Sequence, residues 1–318
     1  MAISRAQELK QLIPGLHALF GQEYKTYAEE HKEIFVTEKS NRSFEEELKL
    51  SNFGAALEKA EGAAVSYDEA QEAYASRYNH KTIALGFAIT EEAMEDNLYA
   101  SVGKRYVKAL ARSMAHTKQV MAANILNNGF DGTVAAYRGG DGRSLFGFNA
   151  AGSRTGHPLV GGGVNQNSLT TPADLNETSL EASVIQISNW TDERGLLIAA
   201  KPKKLIIPTD LMFVAERLMS TTLRTSLSAV TTFAPNDINA IKSMGVIPQG
   251  FAVNHYLTDA DAWFLTTDVP DGLKHFVRVA MQTKTDGDFD TGNMKYKARE
   301  RYSFGWSDPL GIFGSEGA

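Results

Sequence analysis

The 318-residue chain contains no cysteine, which excludes disulfides and thiolate metal sites and fits a reducing compartment. No stretch approaches the roughly 20 apolar residues of a membrane span. Met1 to Lys10 mixes Arg5, Glu8 and Lys10 and lacks the apolar core of a secretory signal, so export by that route is not expected. The Asn-x-Ser/Thr triplets at Asn41, Asn176 and Asn189 are then chance matches. A basic excess is lacking too. The 32 bases face 38 acids, a net charge of −6, unlike a protein that grips phosphates. What remains, 43% apolar and 22% charged residues, is the composition of a folded chain rather than a disordered one.

Catalytic signatures are also missing. The histidines, at 17, 31, 80, 116, 157, 255 and 275, form no H-E-x-x-H pair, and there is no phosphate loop and no nucleophile elbow. Gly161-Gly162-Gly163 lacks the remaining glycine of a dinucleotide fingerprint. Asp286, Asp288 and Asp290 have the spacing of calcium-loop carboxylates. Thr291 and Lys297, however, stand where such a loop needs glycine and glutamate, so a solvated turn is the better reading. Asp259 and Asp261 form an acid pair with no His or Lys at a defined spacing. A soluble α/β hydrolase built on them is the weakest of the functional readings, and a polar turn is preferred. His157, before Pro158, reads as a satisfied loop histidine rather than a metal ligand. No cofactor is expected.

What the chain does have is uneven charge. Between Phe44 and Tyr74 lie the acids Glu45, Glu46, Glu47, Glu58, Glu61, Asp68, Glu69 and Glu72, against Lys49 and Lys59 alone, so this segment carries a charge of −6, equal to the whole formal excess. Its apolar residues are too sparse for a core. It is bracketed by Glu33–Lys39, of strand composition, and by Ile83, Leu85, Phe87 and Ile89, which alternate with small residues as in a half-buried strand. An excursion this long inside a domain is functional or disordered.

Ahead of it, Ile3 to Ala28 reads as a helical or irregular leader broken at Pro14-Gly15. Beyond it, Thr90 with Glu91 and Glu92 opens a helix. Its apolar stripe runs through Met94, Leu98, Val102, Tyr106, Leu110, Met114, Met121 and Ile125 to a left-handed cap at Asn127-Asn128-Gly129. Residues 128–164 hold 11 of the 27 glycines and read as a flexible connector or surface loop. Asp174–Asn189 reads as a helix and Lys204–Ile207 as a buried strand, followed by a helix capped by Thr209. Val246–Tyr256 and Trp263–Thr267 read as strands.

The last strand, Lys295 to Trp306, has Lys295, Lys297, Arg299 and Arg301 on one face. Tyr296, Ala298, Glu300, Tyr302, Phe304 and Trp306 are on the other. The cations fit three partners: nucleic acid, solvent along a protected edge, or the acidic arm of another copy. The third is preferred because nothing else in the chain balances that arm.

In this order the pieces resemble the major capsid proteins of tailed bacteriophages, in particular the prophage-type major head subunits. The residues that carry the resemblance are His157 to Gly162, Asp174 to Glu181, Thr191 to Gly195 (T-D-E-R-G), Pro202 to Pro208, Thr258 to Leu265 and Arg301 to Pro309. The resemblance implies an α+β chain with the tailed-phage and herpesvirus major-capsid fold. Its parts would be an N-terminal arm over 1–32, an extended E-loop with flanking strands over 33–87, and a P domain over 88–171 with the spine helix and glycine-rich connector. An A domain over 172–285 would follow, then a return strand and tail over 286–318.

It further implies a structural, non-enzymatic subunit that self-assembles as hexamers and pentamers into an icosahedral head around double-stranded DNA, without sequence-specific DNA binding. Each E-loop would cross a neighbour's P domain, so the eight arm acids would meet the cations of strand 295–301 on another subunit. The short leader leaves no room for a fused scaffold, so a separate scaffold protein is expected, with a portal and a decoration protein as further partners. Its places would be the virion and, during assembly, the host cytoplasm. An encapsulin-like cargo compartment of the same fold is the alternative.

Overall fold

The computed structural model describes residues 5–62, 64–90, 92, 99–223, 238–288 and 292–318. Two sheets and one long helix organise the chain. The first sheet joins β1 (Val36–Lys39), β4 (Lys81–Ile89), β10 (Leu273–Gly287) and β11 (Met294–Trp306) in the order β1-β10-β11-β4. β1 runs parallel to β10, and the other pairs are antiparallel. Between β1 and β4 the chain leaves this sheet as a hairpin, β2 (Phe44–Leu50) and β3 (Glu72–Asn79), paired from Phe44↔Asn79 to Leu50↔Glu72.

The N-terminal helix α1 (Arg5–Thr26) runs through Pro14 and Gly15 without the expected break. The spine helix α2 (Tyr99–Asn127) has 29 residues and is about 43 Å long at 1.5 Å per residue. Most of its expected first turns, residue 91 and residues 93–98, lie outside the described residues. It is continuous past Gly103. Val107, Leu110, Ala111 and Met114 bury themselves with Leu16 and Phe20 of α1 and with Met294, Tyr296 and Ala298 of β11. The helix does not end in a left-handed glycine. Gly129 is not among the positive-φ residues, and a Cβ there would sit 2.6 Å from the Phe146 ring. Close packing, rather than capping, requires glycine at this position.

The glycine-rich segment is packed, contrary to the flexible connector expected of it. Leu145 and Phe146 are fully buried, and Phe146 forms a three-ring cluster with Phe130 and Phe264. The short strands β5 (His157–Pro158) and β6 (Val164–Asn165) pair within it. Helix α3 (Glu177–Ser188) starts at a capping box formed by Asn176 and Ser179. The second sheet follows, in the order β12-β9-β7-β8, from β7 (Pro202–Ile207), β8 (Phe251–Val253), β9 (Trp263–Thr267) and β12 (Ile312–Ser315). Leu205, Ile207, Trp263, Leu265 and Phe313 meet Leu180 and Ile187 of α3 in its core, with Ala215 and Leu218 of α4 (Met212–Ser220) and Ile241 of α5 (Ala240–Met244). Thr209 opens a 3-10 turn before α4 and caps nothing with its side chain. The expected strand over 246–256 is only the three-residue β8.

β10 was not anticipated. Its 15 residues pair with β11 from Leu273↔Trp306 to Gly287↔Met294, so the expected boundary at Thr285 falls inside a strand of the first sheet. β12, in turn, carries the last residues into the second sheet.

Candidate assembly surfaces

The alternation read in the last strand is the alternation in the fold. Met294, Tyr296, Ala298, Glu300 and Tyr302 are buried, while Lys295, Lys297 and Arg299 are exposed and Arg301 is half-buried. Across the sheet, Lys297 lies opposite Lys284 of β10 on one side and Gly86 of β4 on the other, and Arg299 lies opposite Gln282 and Ala84. A directly opposed pair of like charges is unfavourable unless an anion neutralises it. Lys295 is already engaged, since its Nζ lies 2.5 Å from the Asp288 carboxylate. Arg301 points toward the arm's base and donates to the Ser43 carbonyl at 3.5 Å.

The buried acid on this strand, Glu300, pairs with Lys118 of α2 at 2.5 Å and accepts from the Tyr24 hydroxyl of α1 at 3.4 Å. Burial pushes its carboxyl above the ordinary glutamate value, and Lys118 opposes that rise. Beside it, His31 and His275 meet edge to face at 5.1 Å, and His275 stacks on Phe304 at 4.2 Å. Burial, reinforced by nearby cationic groups, lowers His31 to about 4 and His275 to about 3.

The arm acids divide into two sets. Near the hairpin base, Glu45 accepts from the Ser40 hydroxyl at 2.7 Å, and Glu46 lies 3.7 Å from Arg77. Glu47 binds the Lys274 ammonium at 2.5 Å and the Ser307 hydroxyl. Lys274 also reaches Glu38 and Asp271, and Lys49 lies 3.0 Å from both Glu193 and Asp308. Two largely buried lysines therefore fix the base of the hairpin to its own chain. Glu58, Glu61, Glu69 and Glu72 are instead exposed, on or beside a tip, residues 51–71, with no strand or helix among its described residues. Phe53, Leu57, Val65 and Tyr67 stand exposed there, Tyr67 at 94%. Asp68 is the exception, because its carboxylate accepts from the Gly54 amide at 2.7 Å and meets Arg194 at 2.6 Å.

The remaining candidates have local structural roles. His157 Nδ1 lies 2.6 Å from Asp141 and Nε2 faces the Leu145 carbonyl at 3.2 Å, a satisfied buried histidine. The Asp259 side chain accepts the Asp261 amide at 3.1 Å, closing its own turn. Of the calcium-loop acids, Asp286 lies opposite Lys295, Asp288 pairs with Lys295 as above, and Asp290 is outside the described residues. No group of three or more ligating side chains gathers among the described residues, and none of their helices is long and apolar enough to cross a membrane.

Sequence reasoning missed Lys274, Lys49 and Lys118. Each has at least one carboxylate partner more than 100 residues away, Glu193 and Asp308 for Lys49, Glu300 for Lys118, and Glu38 and Glu47 for Lys274, which no local spacing could reveal.

No curated protein matches the sequence. The fold has solved counterparts. A structure from Mycobacterium phage Adephagia is 12% identical, with 91% of this chain and 90% of that one covered and a TM-score of 0.51. The capsid of a native GTA particle is also 12% identical, with 92% of each chain covered and a TM-score of 0.51. These likenesses bear on the fold, which is the α+β tailed-phage major-capsid fold. A family profile described as Phage capsid protein matches residues 73–314, three-quarters of the chain, from the second strand of the arm's hairpin to β12. By that match the chain belongs to the phage capsid protein family, and it is a structural protein of the virion.

Proposed function

We propose that copies of this chain assemble as hexamers and pentamers into an icosahedral head enclosing double-stranded DNA, with the exposed acids of each arm tip meeting the cationic face of β11 on a neighbour. The observation that carries the reading is the division of charge within one subunit. Glu58, Glu61, Glu69 and Glu72 are exposed on the arm, while Lys297 and Arg299 are exposed beside the like-charged rung Lys284–Lys297. Complementary patches that are left unpaired in one copy fit pairing between copies. In these terms the hairpin and tip are the E-loop, α1, α2 and the first sheet form the P domain, and the second sheet with α3, α4 and α5 forms the A domain. A separate scaffold, a portal and a decoration protein are the partners this role calls for, and the host cytoplasm is where assembly would occur.

The test is charge reversal at Lys297→Glu with Arg299→Glu, two exposed residues. The expected result is a subunit with unchanged thermal midpoint that yields few or no particles by negative-stain microscopy. Wild-type particle numbers from this double variant would remove the pairing.

A further inference from the structure

The T-D-E-R-G segment, Thr191 to Gly195, entered the surfaces above only as the partner of Lys49 and Asp68, yet as a whole it is a well-built turn that faces the arm. Thr191 bridges to Leu197. The Asp192 carboxylate accepts the amides of Arg194 and Leu196, each at 2.9 Å, and Gly195 takes a φ of +84°, which favours glycine. The amide of Val160 and the ammonium of Lys49 hold Glu193. A turn fixed in this way presents three consecutive charged side chains to the arm. Glu193 takes Lys49 at the base, Asp192 accepts from the Asn52 amide at 3.4 Å, and Arg194 meets Asp68 at 2.6 Å.

We propose that this turn is a docking post for the chain's own arm tip, a self-contact that competes with engagement of a neighbouring subunit; the competition rests on the assembly reading above, whereas the docking does not. Contact strength separates base from tip. At the base, Lys49 and Glu193 are 17% and 6% exposed, whereas at the tip Asp68 and Arg194 are 43% and 22% exposed. The apolar side chains of the tip, Phe53, Leu57, Val65 and Tyr67, are exposed, so little apolar burial opposes its release. An exposed ion pair favours the paired form by no more than about fivefold and is screened by salt. Docked and free tips are therefore balanced within about fivefold, and only the free fraction is available to a neighbour.

Because the chain has no cysteine, spin labels at Leu57→Cys and Leu197→Cys report the tip-to-post distance in the soluble subunit. A narrow distance population is expected that falls about threefold between about 0.05 M and about 1 M salt, once Asp68–Arg194 is screened. Arg194→Glu should shift it equally at low salt, while Arg194→Lys should keep most of it. Arg194→Glu should also speed the rise in light scattering at fixed subunit concentration, by up to about fivefold. An unlabelled thermal midpoint checks that each variant is folded. Distances indifferent to salt and to Arg194→Glu would overturn the docking, and a released tip with no faster assembly would overturn the competition. A wild-type chain that never forms particles while its label distances respond as expected would count against the shell reading and for the docking.

Discussion

At the scale of single residues, the most informative group is the buried cluster under β11. His31 and His275 titrate near 4 and 3, below the ordinary 6.5, because burial disfavours the imidazolium. Their folded values are depressed, so the unfolded chain takes up protons first as pH falls. Stability is fully present above about pH 6.5, declines as pH drops through about 4 for His31 and about 3 for His275, and levels off only below those values. Each histidine contributes a slope of about 1.4 kcal/mol per pH unit in that window. The urea midpoint should therefore fall steeply from pH 6.5 to 4, and His275→Phe should flatten the fall.

Lys118 and Glu300 make a second case. Lys118→Met leaves a carboxylate buried without its ammonium and should cost about 3–5 kcal/mol in urea unfolding. Lys118→Met with Glu300→Leu should recover most of that loss. If the double variant is no more stable than the single one, the pair is not what the buried charge depends on.

At the scale of elements, legibility followed periodicity. β4 and β11 were read from alternation in residues 81–89 and 294–306, which in β11 holds from Met294 to Tyr302; β9, buried at four of its five positions, was read from strand composition instead. β10 breaks phase. Register shifts fall between Val277 and Val279 and between Val279 and Gln282, and the strand opens with Lys274 and His275 buried, a polar start that a period-2 reading rejects. β2 was hidden for the opposite reason. Its three glutamates have poor strand propensity, and its pairing is rewarded by Lys274 and Ser307, more than 200 residues downstream. The glycine-rich segment read as flexible because glycine frees an isolated chain, whereas here Gly129 and Gly139 let the rings of Phe146 and Trp306 approach the backbone.

The tip behaves as its composition suggests. It contributes nothing to the buried cores, so deleting residues 54–65 should leave the thermal midpoint of the subunit within about 2 °C, the scale of a surface change, and abolish particle formation. A large fall in midpoint would mean that the tip supports the fold.

At the scale of the whole molecule, the first sheet gathers strands from residues 36–39, 81–89, 273–287 and 294–306, and the second takes β12 from the last residues of the chain. No local pattern encodes such a discontinuity. The final strand β11 pairs with β4 and β10, so the boundary expected at Thr285 cuts through a strand whose pairing only the folded chain reveals. Among the candidate surfaces, the exposure of Lys295, Lys297 and Arg299 was legible from the strand's period, whereas the pairing of Lys295 with Asp288 and the turn of Arg301 toward Ser43 were not. The acidic arm was legible only as a net charge, because Glu46 is met by Arg77 across the hairpin and Glu47 by Lys274 and Ser307, more than 200 residues downstream.

The unequal fastening of the arm has a mechanical consequence. A closed shell sets the same subunit into junctions of more than one angle, so a connector rigid along its whole length would fit one junction and strain the rest. Here the buried lysines make the root stiff, and it sets the bearing of the arm. Beyond it, the described residues of the tip form no strand or helix, and an exposed ion pair, Asp68–Arg194, stands where buried lysines hold the root. In the proposed head, one chain could then span both flat and curved junctions with the strain taken up beyond residue 50 rather than passed to the spine helix.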